Sequence, residues 1–211
     1  MYFISKITKR FLVLSAINFL LIHNIFSDER KLLILGDSIS AGYGIEEGNQ
    51  WTEILQIKYN EQNTELVIIN ASISGDTTGG GLSRIESLLN KYNPEILLIE
   101  LGGNDALRGY PVKKIKSNLD KISSLAIEKK VEVLLMQIRI PPNYGRRYVS
   151  AFENLFVEMG TQEGINLFPF MLQTVALNKD LMLPDGIHPN AKAQPLIAEF
   201  MYNKLQRYVK D

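Results

Sequence analysis

The sequence predicts an α/β protein, a three-layer α/β/α sandwich around a parallel sheet of five strands. Two observations carry that prediction. Short continuous Leu/Ile/Val runs recur along the chain, with the length and composition of strands buried on both faces. Longer stretches between them carry apolar residues at helical spacing, and strand alternating with helix implies right-handed crossovers and a parallel sheet. With 211 residues, 45% of them hydrophobic and 22% charged, the chain suits one domain with a sizeable core.

Residues 1–27 stand apart from this pattern. Lys6, Lys9 and Arg10 precede an apolar run from Phe11 to Ile22 that only Ser15 and Asn18 interrupt, the layout of a secretory signal peptide. Cleavage after Ser27 would leave one domain, residues 28–211, exported to the periplasm or the medium. The alternative, a retained amino-terminal anchor, falls short of the roughly 20 apolar residues that span a bilayer, so no stable span is expected once the signal is removed. Losing three of the 23 basic residues and none of the 23 acidic ones gives the mature domain a net charge near −3. No basic stripe marks a nucleic-acid surface.

The elements then follow in order. Strands are expected at Lys31–Leu35, Glu65–Ile69, Glu95–Leu101, Val131–Ile138 and Ile165–Phe168, and helices at Trp51–Tyr59, Leu82–Tyr92, Val112–Lys129, Arg147–Gln162 and Ala191–Val209. Leu119, Ile122, Leu125 and Ala126 make one apolar helical stripe. In a parallel sheet the functional residues sit in loops beyond the carboxyl ends of the strands. Those loops are rich in Gly, Asp, Asn and Ser: Gly36-Asp37-Ser38 after the first strand, Asn70 to Asp76 after the second, Gly102-Gly103-Asn104-Asp105 after the third.

Composition narrows the chemistry. The absence of cysteine excludes disulfides, thiolate nucleophiles and cysteine-held metals. Of two histidines, His23 lies in the leader, so His188 is the single imidazole of the mature chain. It stands in Asp185-Gly186-Ile187-His188-Pro189, where a carboxylate three residues earlier can fix its tautomer and stabilise the imidazolium. A serine hydroxyl needs such a base, and Ser38 at the end of the first strand is the candidate nucleophile. Acyl transfer also needs oxyanion donors, for which the N–H groups of Ser38 and Gly75 and the Asn104 amide are candidates. Each motif alone has an ordinary reading as a turn, loop or cap. Their joint occurrence supplies nucleophile, base, orienter and donors.

These blocks, GDSIS, the Gly75 loop, GGND and DGIHP, resemble those of the SGNH hydrolases, also called GDSL esterases and lipases. The resemblance runs from about Leu32 to Leu205 and is closest to the family's exported bacterial thioesterases, arylesterases and lysophospholipases. It implies a flavodoxin-like sheet in strand order 2-1-3-4-5 and an enzyme needing neither cofactor nor metal; a monomer is expected. The implied substrate is a small acyl ester or thioester, or a lysophospholipid. By resemblance, the Ala106–Pro111 loop closes over the acyl chain and the Arg139–Tyr144 segment lines its groove, which makes Leu107, Ile140, Pro142 and Asn143 substrate-binding candidates. The Pro141-Pro142 pair stiffens that segment and removes a donor, so chain-length preference should differ from relatives without it. Two other readings remain: an O-acetylesterase of carbohydrates in the same family, and a non-catalytic flavin- or phosphate-binding module. The second lacks both GxGxxG and the P-loop ending.

Overall fold

The computed structural model describes residues 29–209, so the predicted leader, residues 1–27, lies outside the described residues. Five strands, β1 Arg30–Gly36, β2 Leu66–Asn70, β3 Ile96–Glu100, β4 Glu132–Met136 and β5 Ile165–Phe168, form one sheet in the order β2-β1-β3-β4-β5. Every neighbouring pair is parallel. The helices are α1 Trp51–Glu61, α2 Thr78–Tyr92, α3 Gly103–Leu107, α4 Val112–Glu128, α5 Arg146–Met159 and α6 Gln194–Val209. Right-handed crossovers from β1 to β2 and from β2 to β3 run in opposite directions, which sends α1 to one face and α2, α4 and α5 to the other. The packing agrees: α1 meets α6, while α2 meets α4 and α4 meets α5.

Burial explains the apolar runs. Leu32 to Leu35 of β1 and Ile96 to Ile99 of β3 are fully buried, as strands in the middle of a doubly covered sheet must be. Each such side chain contributes about 1.5–3 kcal/mol relative to exposure. Trp51, Phe152, Phe156 and Phe168 fill the space between sheet and helices, with Phe152 and Phe156 edge to face at 5.2 Å.

Several boundaries differ from expectation. Helix α2 begins at Thr78 rather than Leu82, because Thr77 caps it by accepting from the Gly80 N–H, and Asp105 holds the Thr78 N–H. Three consecutive glycines carry no periodic signal and lower helix propensity by about 1 kcal/mol each, so only these contacts define the start. The Gly-Gly-Asn-Asp stretch, expected as a loop, enters the short helix α3. Helix α6 starts at Gln194, whose side chain accepts from the Trp51 N–H at 3.0 Å.

The sheet order fixes where a site can form. Connections leave β1 and β3 toward opposite faces, so a crevice opens between their carboxyl ends. Ser38 follows β1, and Asn104 follows β3.

Candidate active site

Ser38 lies in a tight turn after β1, closed by hydrogen bonds from Ala41 N–H to Asp37 C=O and from Tyr43 N–H to Ser38 C=O. Gly36, two residues earlier, pairs with Glu100 in the sheet register. A Cβ at Gly36 would come within 2.7 Å of Ser72 Oγ and 2.9 Å of Glu100 Oε2, so only glycine lets the strand end this close to its neighbours.

His188 reaches Ser38 from the far end of the chain. Its Nε2 lies 2.8 Å from Ser38 Oγ and its Nδ1 lies 2.7 Å from Asp185 Oδ2. Asp185 Oδ1 accepts from the backbone N–H groups of Ile187 at 2.8 Å and His188 at 3.0 Å. Burial pushes the Asp185 carboxyl up, but those two N–H groups and the imidazole outweigh it and hold it at about 2. An ionised carboxylate can only accept, so His188 carries its proton on Nδ1 and presents the Nε2 lone pair to the Ser38 hydroxyl, which donates. An antiparallel bridge between Met182 and Pro189 closes the loop that carries this pair, and Leu183 N–H donates to His188 C=O at 2.7 Å. The Tyr43 ring covers the imidazole, with centroids 4.5 Å apart.

On the other side of Ser38 the environment is buried. Asn104 Nδ2 donates to Asp37 Oδ2 at 3.0 Å, and Asp37 Oδ1 accepts from the Ile39 N–H at 3.0 Å. Using one amide hydrogen on Asp37 leaves the second available toward the cleft. Asp37 is only 4% exposed, and burial lifts its carboxyl to about 6 against the pull of Ile39 N–H, Asn104 and His188. Glu100, 2% exposed, accepts from Ser40 Oγ at 2.8 Å; burial, then the nearby Asp37 charge, raise its carboxyl well above the usual range.

A cleft of about 590 Å³ opens beside Ser38 and His188. Leu107, Ile138, Ile140, Phe170, Leu172 and Met182 give it an apolar wall, and Pro142 and Asn104 also face it. Among the expected groove residues, Leu107, Ile140 and Pro142 line the cleft, whereas Asn143 does not. It lies inside the 3₁₀ turn Pro142–Tyr144, where successive side chains point about 120° apart, so a turn that shows Pro142 to the cleft directs Asn143 elsewhere. Gly75 is also not among the lining residues; it occupies a left-handed turn at φ 79°, and its carbonyl accepts from Arg108 Nη2 at 3.2 Å.

Sequence reasoning missed Asp37, Glu100 and Tyr43. The signal for Glu100 was legible in principle: an acid closing the apolar run ILLIE will be buried with the strand, and buried acids are rare without a task. Tyr43 carries no such signal.

Residues 34–195 match the family described as GDSL-like Lipase/Acylhydrolase. An arylesterase of Vibrio mimicus is 45% identical over 179 residues, covering 85% of this chain and 90% of that protein. The thioesterase 1/protease 1/lysophospholipase L1 of Escherichia coli K12 is 43% identical over 84% of each chain. Among solved structures, a psychrotrophic esterase EstA from Pseudoalteromonas sp., inhibited by monoethylphosphonate, superposes with a TM-score of 0.84 at 43% identity, covering 86% of this chain and 100% of that one.

Proposed function

The chain belongs to the GDSL-like lipase/acylhydrolase family, and from that premise we propose that Ser38, His188 and Asp185 are its catalytic triad, with the Ser38 and Gly75 N–H groups and the Asn104 amide as oxyanion donors. It is a hydrolase of acyl esters and thioesters. The observation that carries the residue assignment is the imidazole of His188 held between two oxygens, Ser38 Oγ at 2.8 Å and Asp185 Oδ2 at 2.7 Å.

The chemistry follows from that arrangement. Ser38 Oγ attacks the acyl carbonyl while His188 Nε2 takes its proton, forming a tetrahedral oxyanion and an imidazolium that Asp185 stabilises. Preorganised donors in a partly dry cleft stabilise that oxyanion more than they do the ground-state carbonyl, and each is worth roughly 3 kcal/mol. His188 then gives its proton to the departing alcohol or thiol. Water attacks the acyl-serine with the same base, releasing the acid and restoring the Ser38 hydroxyl. No step asks for a metal or an organic cofactor.

The apolar wall favours a medium or long acyl chain over acetate, because every buried methylene adds about 0.8 kcal/mol to binding. Pro141 and Pro142, both lining the cleft, fix one stretch of that wall. Export completes the reading: residues 1–27 direct the chain out of the cytoplasm and are removed, consistent with a cysteine-free domain that folds without disulfides. The test uses enzyme recovered from outside the cytoplasm after expression of the full-length chain. Its mass should begin at Asp28, and kcat/KM on p-nitrophenyl esters should rise by at least tenfold from acetyl to octanoyl. A flat or declining series would transfer the assignment to a short-chain acetylesterase.

A further inference from the structure

Asp105, the residue after Asn104 in α3, is 1% exposed and takes no part in the chemistry above. Its carboxylate reaches across to the start of α2, where Oδ2 accepts from the Thr78 N–H at 2.8 Å and Oδ1 from Thr78 Oγ1 at 2.6 Å. Asn118 Nδ2, from α4, donates to the same Thr78 Oγ1 at 3.0 Å and completes a buried network. Thr78 stands three residues beyond Gly75. The other end of α3 reaches the same turn, since Arg108, its C-cap, donates to the Gly75 carbonyl. The helix bearing Asn104 is therefore clamped to the segment bearing Gly75, while Asp37 ties Asn104 itself to the Ser38 turn at 3.0 Å.

We propose that Asp105 is a positioning residue that fixes the spacing between the Gly75 N–H and the Asn104 amide through its double hydrogen bond to Thr78. The inference rests on the reading of those two groups as oxyanion donors. Two donors from different loops act together only if their separation matches one oxygen, and a misplacement of about 1 Å costs on the order of a hundredfold in rate. Helix α3 has a single full turn that begins at Gly102-Gly103, and Gly79, Gly80 and Gly81 fill the first turn of α2, too little local structure to hold that separation unaided. A buried carboxylate bonded twice to one residue supplies the rigidity that the local sequence lacks.

Asp105→Asn and Thr78→Val each remove part of this link while conserving volume. Each should lower kcat by about tenfold or more with KM within about twofold, and slow phosphonylation of Ser38 by a fluorophosphonate by the same factor. The double variant should be no slower than the slower single one, because both cut one connection. Should Asp105→Asn not fold, Thr78→Val, which keeps the main-chain contact, carries the same expectation. Wild-type kcat in the folded variants, a loss confined to KM, or losses that multiply in the double variant would overturn the proposal. Asn104→Ala measured alongside separates the two levels: an Asn104→Ala variant with wild-type kcat removes the donor reading itself, whereas a slow Asn104→Ala beside a fully active Asp105→Asn removes only the brace.

Discussion

Two aspartates belong to the Ser38 site, Asp37 as its chain neighbour and Asp185 through His188, and their environments are opposite. Asp185 lies on the carboxyl-terminal loop with its side chain 39% exposed, accepts two backbone N–H groups and the imidazole, and has its carboxyl held at about 2. Asp37 lies under the β1 turn, 4% exposed, with its carboxyl lifted to about 6. The first is an ion stabilised by its contacts; the second is an ion kept where burial disfavours it. On the proposed assignment the loop side handles the proton, and the strand side supplies fixed polar geometry at a cost in stability.

The largest separation of the two sides is kinetic. His188→Ala should reduce kcat by about 10⁴-fold or more, since residues 28–211 hold no second imidazole to replace it. Asp185→Ala should cost less, about 10²- to 10⁴-fold, because an exposed orienter is partly replaceable by water. Asn104→Ala, on the strand side, should cost about 10²- to 10³-fold with KM little changed, the signature of a donor used only in the transition state. Steady-state kinetics on one p-nitrophenyl ester rank all three, and an Asn104→Ala loss exceeding that of His188→Ala would reverse the comparison.

A smaller effect distinguishes the two carboxyls by stability. Asp37 titrates at about 6 folded against 3.8 for the ordinary carboxyl. Between those values the folded state holds the extra proton, so its burial lowers stability fully above about 6 and not at all below 3.8. For Asp185 the sign reverses: its contacts stabilise above 3.8, and that contribution is lost as pH falls through about 2. Asp37→Asn should thus gain thermal midpoint relative to the parent on going from pH 4 to pH 8, whatever constant offset the lost acceptor imposes. A difference that does not change with pH would place the Asp37 carboxyl at an ordinary value.

The same contrast explains what the sequence reveals. Asp185 and His188 are three residues apart, and a pair that local can be read from spacing alone. The link from His188 to Ser38 spans 150 residues, yet it was legible because residues 28–211 hold one imidazole and Ser38 stands in the Gly-Asp-Ser turn that closes the first strand. The strand side had no such shortcut. Asp37 with Asn104 spans 67 residues, Ser40 with Glu100 spans 60, and Asp105 with Thr78 spans 27, and each depends on the register of β1 against β3 or on the packing of α2. Fold class and strand order were legible because buried parallel strands leave unbroken apolar runs. The start of α2 was not, because tertiary contacts rather than periodicity place it at Thr78.

The central claim is that Ser38 is a nucleophile because His188 takes its proton. Incubation of the folded enzyme with a fluorophosphonate, followed by mass spectrometry of its peptides, tests this directly. One phosphonyl group per chain should be found on Ser38, forming at a rate that follows hydrolytic activity and drops by several orders of magnitude in His188→Ala. Labelling at another residue, or labelling of Ser38 at an undiminished rate without His188, would contradict the account.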